Sequence, residues 1–392
     1  MRPYTVFISC LCYLWMHVAT LHGQTQIEIN HHPYLQGLTD NSVSIVWTTN
    51  SPSIGWVELA PDDKSHFYQQ QRPKYFAAKN GFKTVGKVHE VKLVDLQPNT
   101  TYRYRVYSQE VLKHVGTDVR YGQTVATGVY RQAPLQFTTN GSTSQDLHFA
   151  VVNDIHGKND LLKDLLGQVN LKATDFVVFN GDMVDNLLSE EQMFGGFMDT
   201  ATALFASEIP MYYARGNHET RGPFAFEYAK YFPTSTGHLY YSFTKGDACF
   251  VVLDCGEDKP DTDIEYSGIV DMDAYRTQQA KWLKTVVSSP AYTNAKYKII
   301  ICHMPPFGGW HGEEDIAKKF VPILNESGAQ IMLSGHLHRH IIQQPNTICN
   351  FPVVVNANTH VLKVDMNQQK ASFKMYDRSG KFVEQIDINA LH

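Results

Sequence analysis

The segment Gly181-Asp182-Met183-Val184-Asp185 follows the apolar run Phe176-Val177-Val178-Phe179, and this combination is the strongest indication of the fold. A short run of Val and Phe bounded by polar residues and glycine is typical of a buried β-strand. The carboxylate of Asp182 is therefore expected just beyond the carboxyl end of a strand. In α/β sheets that is the position where ligands bind.

Four other short motifs of the same character are spread along the chain. Each follows or ends a run of β-branched and aromatic residues, and each contains side chains that bind transition metals. They are Asp154-Ile155-His156, Gly216-Asn217-His218-Glu219, Cys302-His303-Met304-Pro305 and Gly335-His336-Leu337-His338. Side chains at positions i and i+2 of an extended segment share a face, so the Asp-x-His and His-x-His motifs are each predicted to offer two ligands to one cavity.

The residue types predict two metal ions. A carboxylate has two oxygens, so Asp182 could bridge two ions, while imidazoles and an amide oxygen would complete shells suited to Zn, Mn or Fe rather than Ca. Two ions about 3.5–4 Å apart stabilise the attacking and leaving oxygens in phosphoryl transfer. Taken singly, Asp154 could cap a helix and Asp182 could be a turn residue, but five motifs in one chain favour a metal site.

Length and composition are those of a globular protein with more than one domain. The chain has 392 residues, of which 43% are hydrophobic and 19% are charged, and a chain of this length usually forms two domains. The net charge is -5 and there is no long basic run. The sequence therefore gives no electrostatic reason to expect binding to a nucleic-acid backbone.

The first residues have the pattern of a secretory signal peptide. Arg2 supplies the positive charge, residues 6–19 supply an apolar stretch, and small or polar residues follow near Gly23. We predict a signal peptide over residues 1–23, hence a secreted or periplasmic protein, or a lysosomal or cell-surface one in a eukaryote. An N-terminal membrane anchor is the alternative, although the apolar stretch is shorter than the roughly 20 residues of a spanning helix. No membrane span is predicted in the mature chain.

Four cysteines remain after the signal peptide. Cys249 and Cys255 lie at the two ends of one predicted strand, and six extended residues would separate them by about 20 Å, too far for a disulfide bond. They are expected to be core thiols. A bond between Cys302 and Cys349 stays open.

Residues 24–139 have the pattern of a β-sandwich. Short alternating runs at residues 43–47, 56–59 and 102–106 are separated by Asn, Asp, Gly and Pro, and no helical period competes with them. Trp47 is the expected core aromatic residue, and Tyr102 is expected to close a corner of the sandwich. We predict an all-β, fibronectin type III-like domain that ends at a polar linker, residues 140–146.

The remaining residues, 147–392, alternate between strand and helix patterns. Strands are predicted at residues 147–152, 176–179, 211–214, 250–253, 297–301 and 330–333, and helices at residues 160–169, 190–205, 276–287 and 315–324. Residues 353–388 return to strand patterns. This alternation predicts an α/β domain of α-β-β-α layers, with strand ends that converge on one edge.

The motifs resemble those of the calcineurin-like metallophosphoesterase superfamily over roughly residues 147–364. Residues 27–47 resemble the opening of the domain that precedes the catalytic domain in purple acid phosphatases. The resemblance implies that a metal-activated hydroxide hydrolyses a phosphate ester and that Asp182 bridges two metal ions, each divalent or trivalent. By this resemblance, the first metal is bound by Asp154, His156, Asp182 and His338, and the second by Asp182, Asn217, His303 and His336.

The resemblance also assigns two catalytic residues. His218 is similar to the group that stabilises or protonates the leaving oxygen, and Asp185 is similar to the residue that pairs with this histidine in serine/threonine phosphatases. An aspartate partner would favour the imidazolium form that a general acid needs. From the residues alone, Asp185 could instead be a local cap.

The chain departs from both families at positions that bear on activity. Purple acid phosphatases have a Tyr ligand at the position of Asp185 and a Gly at that of His156, so their charge-transfer colour should be absent here. Serine/threonine phosphatases have an Arg that grips phosphate at the position of Asn186. Arg215 and Arg339 are the candidate replacements.

Substrate recognition is expected from the loop at residues 305–312, which should overhang the metals. Trp310 and His311 are candidates to stack on or hydrogen-bond a nucleobase or sugar, with packing of the loop as the alternative. We predict hydrolysis of a small-molecule phosphate ester outside the cytoplasm by a phosphomonoesterase. A phosphodiesterase of the same mechanism and a non-catalytic binding protein are the alternatives, and the sequence indicates no oligomeric state.

Overall fold

The computed structural model describes residues 26–128, 132–141 and 146–391. The predicted signal peptide lies outside the described residues, as does most of the predicted linker. The domain boundaries drawn at these segments stay predictions. In the described part of the chain, no helix has both the length and the apolar character needed to span a membrane.

The N-terminal domain is a β-sandwich. Its strands are β1 (Ile29–Gln36), β2 (Val43–Pro61), β3 (Lys74–Phe76), β4 (Ala78–Lys79), β5 (Phe82–Lys83), β6 (Val85–Leu93), β7 (Thr101–Val115), β8 (Asp118–Ala126) and β9 (Leu135–Thr138). The first half of β2 pairs with β1 and β6. After a register shift between Thr48 and Ser53, its second half pairs mainly with β3 and β7. One long strand thus belongs to both layers and forms a corner of the sandwich.

The core of the sandwich contains the predicted aromatic residues. Trp47 is fully buried, and its Nε1–H donates to Ser108 Oγ (2.9 Å). The hydroxyl of Tyr102 accepts a hydrogen bond from the backbone N–H of Gln97 (2.9 Å), which fixes the chain at the start of β7. The expected roles of both residues are confirmed.

Two six-stranded sheets form the centre of the C-terminal domain, residues 146–391. Their strands are β10 (Leu147–Val152), β11 (Phe176–Asn180), β12 (Met211–Ala214), β13 (Tyr241–Lys245), β14 (Ala248–Leu253), β15 (Tyr297–Cys302), β16 (Ile331–Ser334), β17 (Ile341–Gln343), β18 (Val353–Val355), β19 (His360–Met366), β20 (Lys370–Asp377) and β21 (Phe382–Asn389). The first sheet has the order β12-β11-β10-β19-β20-β21, and the second has the order β13-β14-β15-β16-β18-β17. The strands β10 to β12 are mutually parallel, as are β14, β15, β16 and β18.

Helices cover the outer faces of the two sheets. They are α1 (Asn159–Leu166), α2 (Glu190–Met193), α3 (Asp199–Ala201), α4 (Met272–Val287), α5 (Pro290–Thr293), α6 (His311–Lys319) and α7 (Val321–Ser327). The predicted helix at residues 190–205 is one continuous helical run, in which α2 and α3 alternate with π-helical turns at Phe194–Met198 and Thr202–Ala206. The predicted helix at residues 315–324 is divided into α6 and α7, because Pro322 cannot donate a backbone hydrogen bond. Short 3₁₀ turns occur at Leu171–Ala173, His218–Thr220, Pro223–Phe226, Tyr228–Lys230 and Ile264–Tyr266.

Three apolar clusters confirm the predicted α-β-β-α layers. Side chains such as Phe149, Phe250 and Ile301 fill the space between the sheets. The helix α1 and the helical run at residues 190–206 cover the first sheet, and α4, α6 and α7 cover the second. The four cysteines of the described residues are free thiols: Cys249, Cys255, Cys302 and Cys349. The expectation that Cys249 and Cys255 are core thiols is confirmed, and Cys302 and Cys349 are not joined by a disulfide bond.

The two domains share an apolar contact and hydrogen bonds. Tyr34 and Val46 of the sandwich belong to the cluster that contains the helical run at residues 190–206. The hydroxyl of Tyr34 donates to the carbonyl oxygen of Tyr231 (2.8 Å), and that of Tyr104 donates to the carbonyl oxygen of Ser207 (2.6 Å). The sandwich therefore packs against the layer that lies directly behind the first sheet.

Candidate metal centre

The five motifs lie at the carboxyl ends of parallel strands. The loops that follow β10, β11 and β12 come from the first sheet, and those that follow β15 and β16 come from the second. Because the sheets pack face to face, both sets of loops reach one site. In chain order these loops carry Asp154 and His156, Asp182, Asn217 and His218, His303, and His336 and His338.

The backbone at most of these residues is left-handed. Ten non-glycine residues in the described part of the chain have a positive φ, and five of them are Asp154, His156, Asp182, His336 and His338, with φ between 50° and 69°. Non-glycine residues with such angles are uncommon and cluster at functional sites. The expectation that an extended segment brings the two side chains of each motif together is therefore wrong. The chain bends directly after the strand, and this bend gives the side chains their direction.

Asp154, His156 and His338 form a first cluster. Their ligand atoms all lie within 4.8 Å of one another. The Nε2 atom of His338 is 3.1 Å from Asp154 Oδ1 and 3.1 Å from His156 Nε2. A carboxylate and two imidazoles this close together can bind one transition-metal ion.

Asp182, His303 and His336 form a second cluster, with ligand atoms that also lie within 4.8 Å of one another. The Nε2 atom of His303 lies 3.0 Å from Asp182 Oδ2 and 3.9 Å from Asp154 Oδ1. The carboxylate of Asp154, which belongs to the first cluster, thus also lies next to the second cluster. Two ions bound at these clusters would share one cavity.

Three of the predicted ligand atoms are buried and make no hydrogen bond of good geometry with the described residues: Asp154 Oδ1, Asn217 Oδ1 and His303 Nε2. His338 Nε2 and Asp182 Oδ2 lie 3.1 Å and 3.0 Å from the first and the last of these atoms, but not in hydrogen-bonding directions. An unsatisfied buried polar atom costs about 1–3 kcal/mol, and native proteins contain few of them. Their occurrence at three predicted ligands is explained if metal ions are the missing partners. The donor set of imidazole, carboxylate and amide oxygen fits transition metals.

Hydrogen bonds behind the ligands orient the atoms that would bind metal. The Nδ1 atom of His303 lies 2.6 Å from the carbonyl oxygen of Asn180, so Nδ1 carries the proton and Nε2 is left as the ligand atom. The Nδ2 atom of Asn217 donates to Asp258 Oδ2 (3.4 Å), which leaves Oδ1 as the ligand atom of this amide. Both ligands therefore have defined orientations before any ion binds.

The carboxylates dominate the electrostatics of the cavity. Burial lowers the pKa of His303, but the charges of Asp182 and Asp154 outweigh burial and raise it. Burial raises the pKa of Asp182, but His303 and His218 outweigh burial and hold it well below its usual range. Burial lowers the pKa of His336 to about 4, so this imidazole is neutral at pH 7, the form that binds a metal. The two carboxylates thus favour positive charge in this cavity, either a proton on His303 or a metal ion that replaces it.

Glu219 ties two ligand loops together. It is fully buried, and its carboxylate accepts hydrogen bonds from the backbone N–H groups of Asp182 (2.9 Å), Met183 (2.6 Å) and Gly216 (3.0 Å). The loops after β11 and β12 are therefore held in one arrangement by a single side chain.

The side chains of Asp185 and His218 lie close together, in a group with His156 whose ligand atoms are all within 4.8 Å of one another. The Asp185 carboxylate makes its hydrogen bond to His156 rather than to His218. Asp185 Oδ1 lies 2.7 Å from Nδ1 of His156, whereas Nδ1 of His218 donates to the backbone carbonyl of Asp185 (2.9 Å). The loop after β11 turns the backbone carbonyl of Asp185 toward His218 and its carboxylate toward His156, a predicted metal ligand. Asp185 thus orients His156 with its side chain and His218 with its main chain.

Two of the three predicted substrate-binding residues are engaged elsewhere. The guanidinium of Arg215 is buried and pairs with both oxygens of Asp254 (3.1 and 2.9 Å). The Nε2 atom of His311 lies 2.8 Å from Asp273 Oδ1 on α4. The remaining residue, Trp310, keeps 48% of its surface exposed. For Arg215 and His311 the structure therefore supports structural roles.

Two residues that sequence reasoning missed lie next to the site. The Nη1 atom of Arg221 is 3.4 Å from Nε2 of His218. The fully buried Glu313 has Oε1 3.6 Å from Nε2 of His336, and burial raises its pKa to about 7. The signal for Arg221 was its position, three residues after His218. For Glu313 no signal existed, because the turn that folds α6 back over the site has no sequence pattern.

Comparison with known proteins agrees with this fold. Residues 147–340 match the calcineurin-like phosphoesterase family, and residues 29–149 match the N-terminal domain of purple acid phosphatases. Purple acid phosphatase 18 of Arabidopsis thaliana is 23% identical over 321 residues, which cover 77% of this chain and 63% of that protein. Purple acid phosphatase 23 of the same plant is 22% identical over 404 residues, which cover 89% and 82%.

A solved structure has a similar fold. Purple acid phosphatase PPD1 from yellow lupin (Lupinus luteus) seeds superposes with a TM-score of 0.62 over 91% of this chain and 74% of its own, at 14% identity. At this identity the likeness concerns the fold alone. The chain belongs to the calcineurin-like metallophosphoesterase superfamily and carries an N-terminal domain of the purple acid phosphatase type. This chain spans only 54–63% of the length of four curated relatives, purple acid phosphatases 15, 18, 21 and 22.

Proposed function

We propose that this protein hydrolyses phosphate esters at a dinuclear metal centre and acts as a phosphomonoesterase outside the cytoplasm. One observation supports this most strongly. Asp154 Oδ1, Asn217 Oδ1 and His303 Nε2 are buried and make no hydrogen bond of good geometry with the described residues, and Asp154 and His303 belong to adjoining groups of metal-binding side chains. Cations at these atoms would satisfy all three.

The proposed ligands divide into two sets that share Asp182. The first metal would be held by Asp154, His156, Asp182 and His338, and the second by Asp182, Asn217, His303 and His336. Mn, Zn and Fe suit these donors. When bound, such ions would activate a water molecule and neutralise charge on the phosphate.

The residue proposed to act on the leaving group is His218. Its side chain is 28% exposed, with Nε2 3.9 Å from Asp182 Oδ2. Because Nδ1 donates to the carbonyl of Asp185, Nε2 is the atom that would face the ester. It accepts a long hydrogen bond from Arg221 Nη1 (3.4 Å), which an ester would displace. An imidazolium at this position can give its Nε2 proton to the leaving oxygen, a contribution of roughly 10²–10⁴-fold to the rate.

The domain organisation and the location belong to the same proposal. We assign residues 1–23 to a signal peptide, 24–139 to the sandwich domain, 140–146 to a linker and 147–392 to the catalytic domain. Export from the cytoplasm would follow from the signal peptide. Detection of a mature N-terminus near residue 24 in exported protein would support this assignment.

Hydrolysis assays with metal-stripped protein test the proposal. An aryl phosphomonoester and the matching aryl phosphodiester would be offered after addition of Mn, Zn or Fe, with Asp182→Ala as the control. We expect metal-dependent hydrolysis that prefers the monoester and is absent in the variant. Preference for the diester would replace the phosphomonoesterase with a phosphodiesterase. Protein with two bound metals that hydrolyses neither ester would contradict both and favour a binding protein.

A further inference from the structure

A network of charged side chains surrounds Arg221 beside His218. The Nε atom of Arg221 donates to Glu257 (3.3 Å), and its Nη2 donates to Glu257 Oε2 (3.1 Å) and to Asp258 Oδ1 (3.2 Å). Glu257 is fully buried and Asp258 is 8% exposed. The hydroxyl of Tyr266 donates to the same two carboxylates (2.9 and 3.0 Å). The guanidinium therefore has a fixed plane.

The third nitrogen of this guanidinium is directed at the site. Nη1 has no carboxylate contact among the described residues, and it donates a long hydrogen bond (3.4 Å) to Nε2 of His218, the atom proposed to meet the leaving oxygen. A phosphate oxygen that enters the site can take over this donor. The side chain of Arg221 is 24% exposed, so a ligand can reach it. Of the other arginines near the motifs, Arg215 is paired with Asp254 and Arg339 is exposed to solvent.

This inference rests on the proposed phosphoesterase function. We propose that Arg221 binds the phosphate group of the ester, donating from Nη1 to a phosphate oxygen next to the one that His218 contacts. A guanidinium held by two carboxylates presents its free N–H groups with little loss of side-chain freedom. Its hydrogen bond to a phosphate oxygen is charge-assisted, which makes it stronger than a bond between neutral groups.

Asp258 connects this phosphate contact to the second metal. Its Oδ1 accepts from Arg221, and its Oδ2 accepts from Nδ2 of Asn217, a proposed ligand. Asp258 thereby acts as a positioning residue for both groups. The loop that carries Glu257 and Asp258 follows β14, so this strand also supplies residues to the site although it carries no metal-binding motif.

Binding of inorganic phosphate to metal-loaded protein tests the role of Arg221. Calorimetry would give the Kd for phosphate, and competitive inhibition of aryl phosphate hydrolysis would give a second measure. In Arg221→Gln we expect both constants to rise about 10- to 100-fold, the equivalent of one charge-assisted hydrogen bond, with the metal content unchanged. Arg221→Lys should lie between this variant and wild type, since one ammonium cannot serve two carboxylates and a phosphate.

Tyr266→Phe is the matched control. It removes one further hydrogen-bond donor to Glu257 and Asp258 but leaves the guanidinium in place, so we expect the phosphate constants to stay within about threefold of wild type. If Arg221→Gln proves poorly folded because Glu257 is left unpaired, the double variant Arg221→Gln with Glu257→Gln removes the orphaned charge.

Two results would overturn the inference. One is phosphate binding in Arg221→Gln as tight as in wild type. The other is an equal loss in Tyr266→Phe, which would show that Arg221 only holds the loop. A failure of the proposed phosphoesterase function can be told apart from a failure of this inference. In the first case wild type would lack metal-dependent hydrolysis, but calorimetry would still show whether Arg221 contributes to phosphate binding.

Discussion

Two histidines of the metal centre are oriented by different atoms of one residue, Asp185. Its carboxylate lies 2.7 Å from Nδ1 of His156, and its backbone carbonyl accepts from Nδ1 of His218. A side-chain substitution removes the first contact and leaves the second. The roles of the two histidines can therefore be separated by mutation.

We predict that Asp185→Ala weakens binding of one metal about 10- to 100-fold, the usual effect of losing the partner of a ligating histidine. The carboxylate is 63% exposed, so the fold should be unaffected. Titration with a competing chelator measures the affinity. Asp185→Asn, which keeps an oxygen acceptor, is the control and should lie closer to wild type. Unchanged metal affinity with lost turnover would instead restore the pairing with His218 that the sequence predicted.

For His218→Ala we expect the opposite pattern. Both metals should remain, while kcat falls by roughly 10²–10⁴, the usual contribution of a general acid. Metal analysis and steady-state kinetics on the same preparation measure the two effects. His148→Ala, at an exposed histidine paired with Asp365 outside the metal centre, should retain activity. Full activity in His218→Ala would remove this residue from the mechanism.

Among the elements, the strands were predictable and the loops were not. Runs of Val, Ile and Phe located β10, β11, β14 and β15, since short segments rich in such residues and bounded by polar ones are typical of buried strands. The break between α6 and α7 follows from Pro322, a signal that was present in the sequence. The loop after β14 has no regular sequence pattern. The contacts that its residues Glu257 and Asp258 make at the site could therefore not be predicted from the sequence.

The same limit applies to the site. The motif residues could be predicted because they are metal-binding side chains that directly follow recognisable strand patterns. Their hydrogen-bond partners could not, because Asp185 offers both a carboxylate and a carbonyl, and only the bend of its loop decides which histidine each one meets.

The strand β6 carries a histidine that should make the sandwich sensitive to acid. Burial lowers the pKa of His89 to about 4, from an ordinary value of 6.5. Below pH 6.5 the unfolded chain binds a proton that the folded domain does not bind until about pH 4. The stabilisation is therefore complete above this range and decreases as the pH falls through it, by about 3 kcal/mol in total.

Urea denaturation at pH 7, 5 and 4 measures this effect, with wild type compared with His89→Gln. We expect the free energy of unfolding of wild type to fall more steeply between pH 7 and pH 4 than that of the variant. The difference between the two curves isolates His89 from the histidines of the metal centre. Parallel curves would contradict a neutral, buried His89.

In the whole molecule, the sandwich packs against the layer behind the metal loops. Tyr34 is fully buried at the domain contact, and its hydroxyl donates to the carbonyl of Tyr231. We predict that Tyr34→Phe lowers the free energy of unfolding by about 1–2 kcal/mol, because a buried carbonyl loses its partner, and leaves kcat unchanged. Chemical denaturation measures the loss, and Tyr121→Phe at a half-exposed position is the control. Equal stability of Tyr34→Phe and wild type would show that the two domains are energetically independent.

We propose that this chain binds two transition-metal ions and uses them to cleave phosphate esters. Metal content would be measured by mass spectrometry on wild type and Asp182→Ala, after reloading and removal of free ions. We expect two ions per chain in wild type, with phosphatase activity that rises in proportion to occupancy, and loss of both ions and activity in the variant. Wild-type protein that retains no metal under these conditions, or an Asp182→Ala variant with full occupancy and activity, would disprove the proposal.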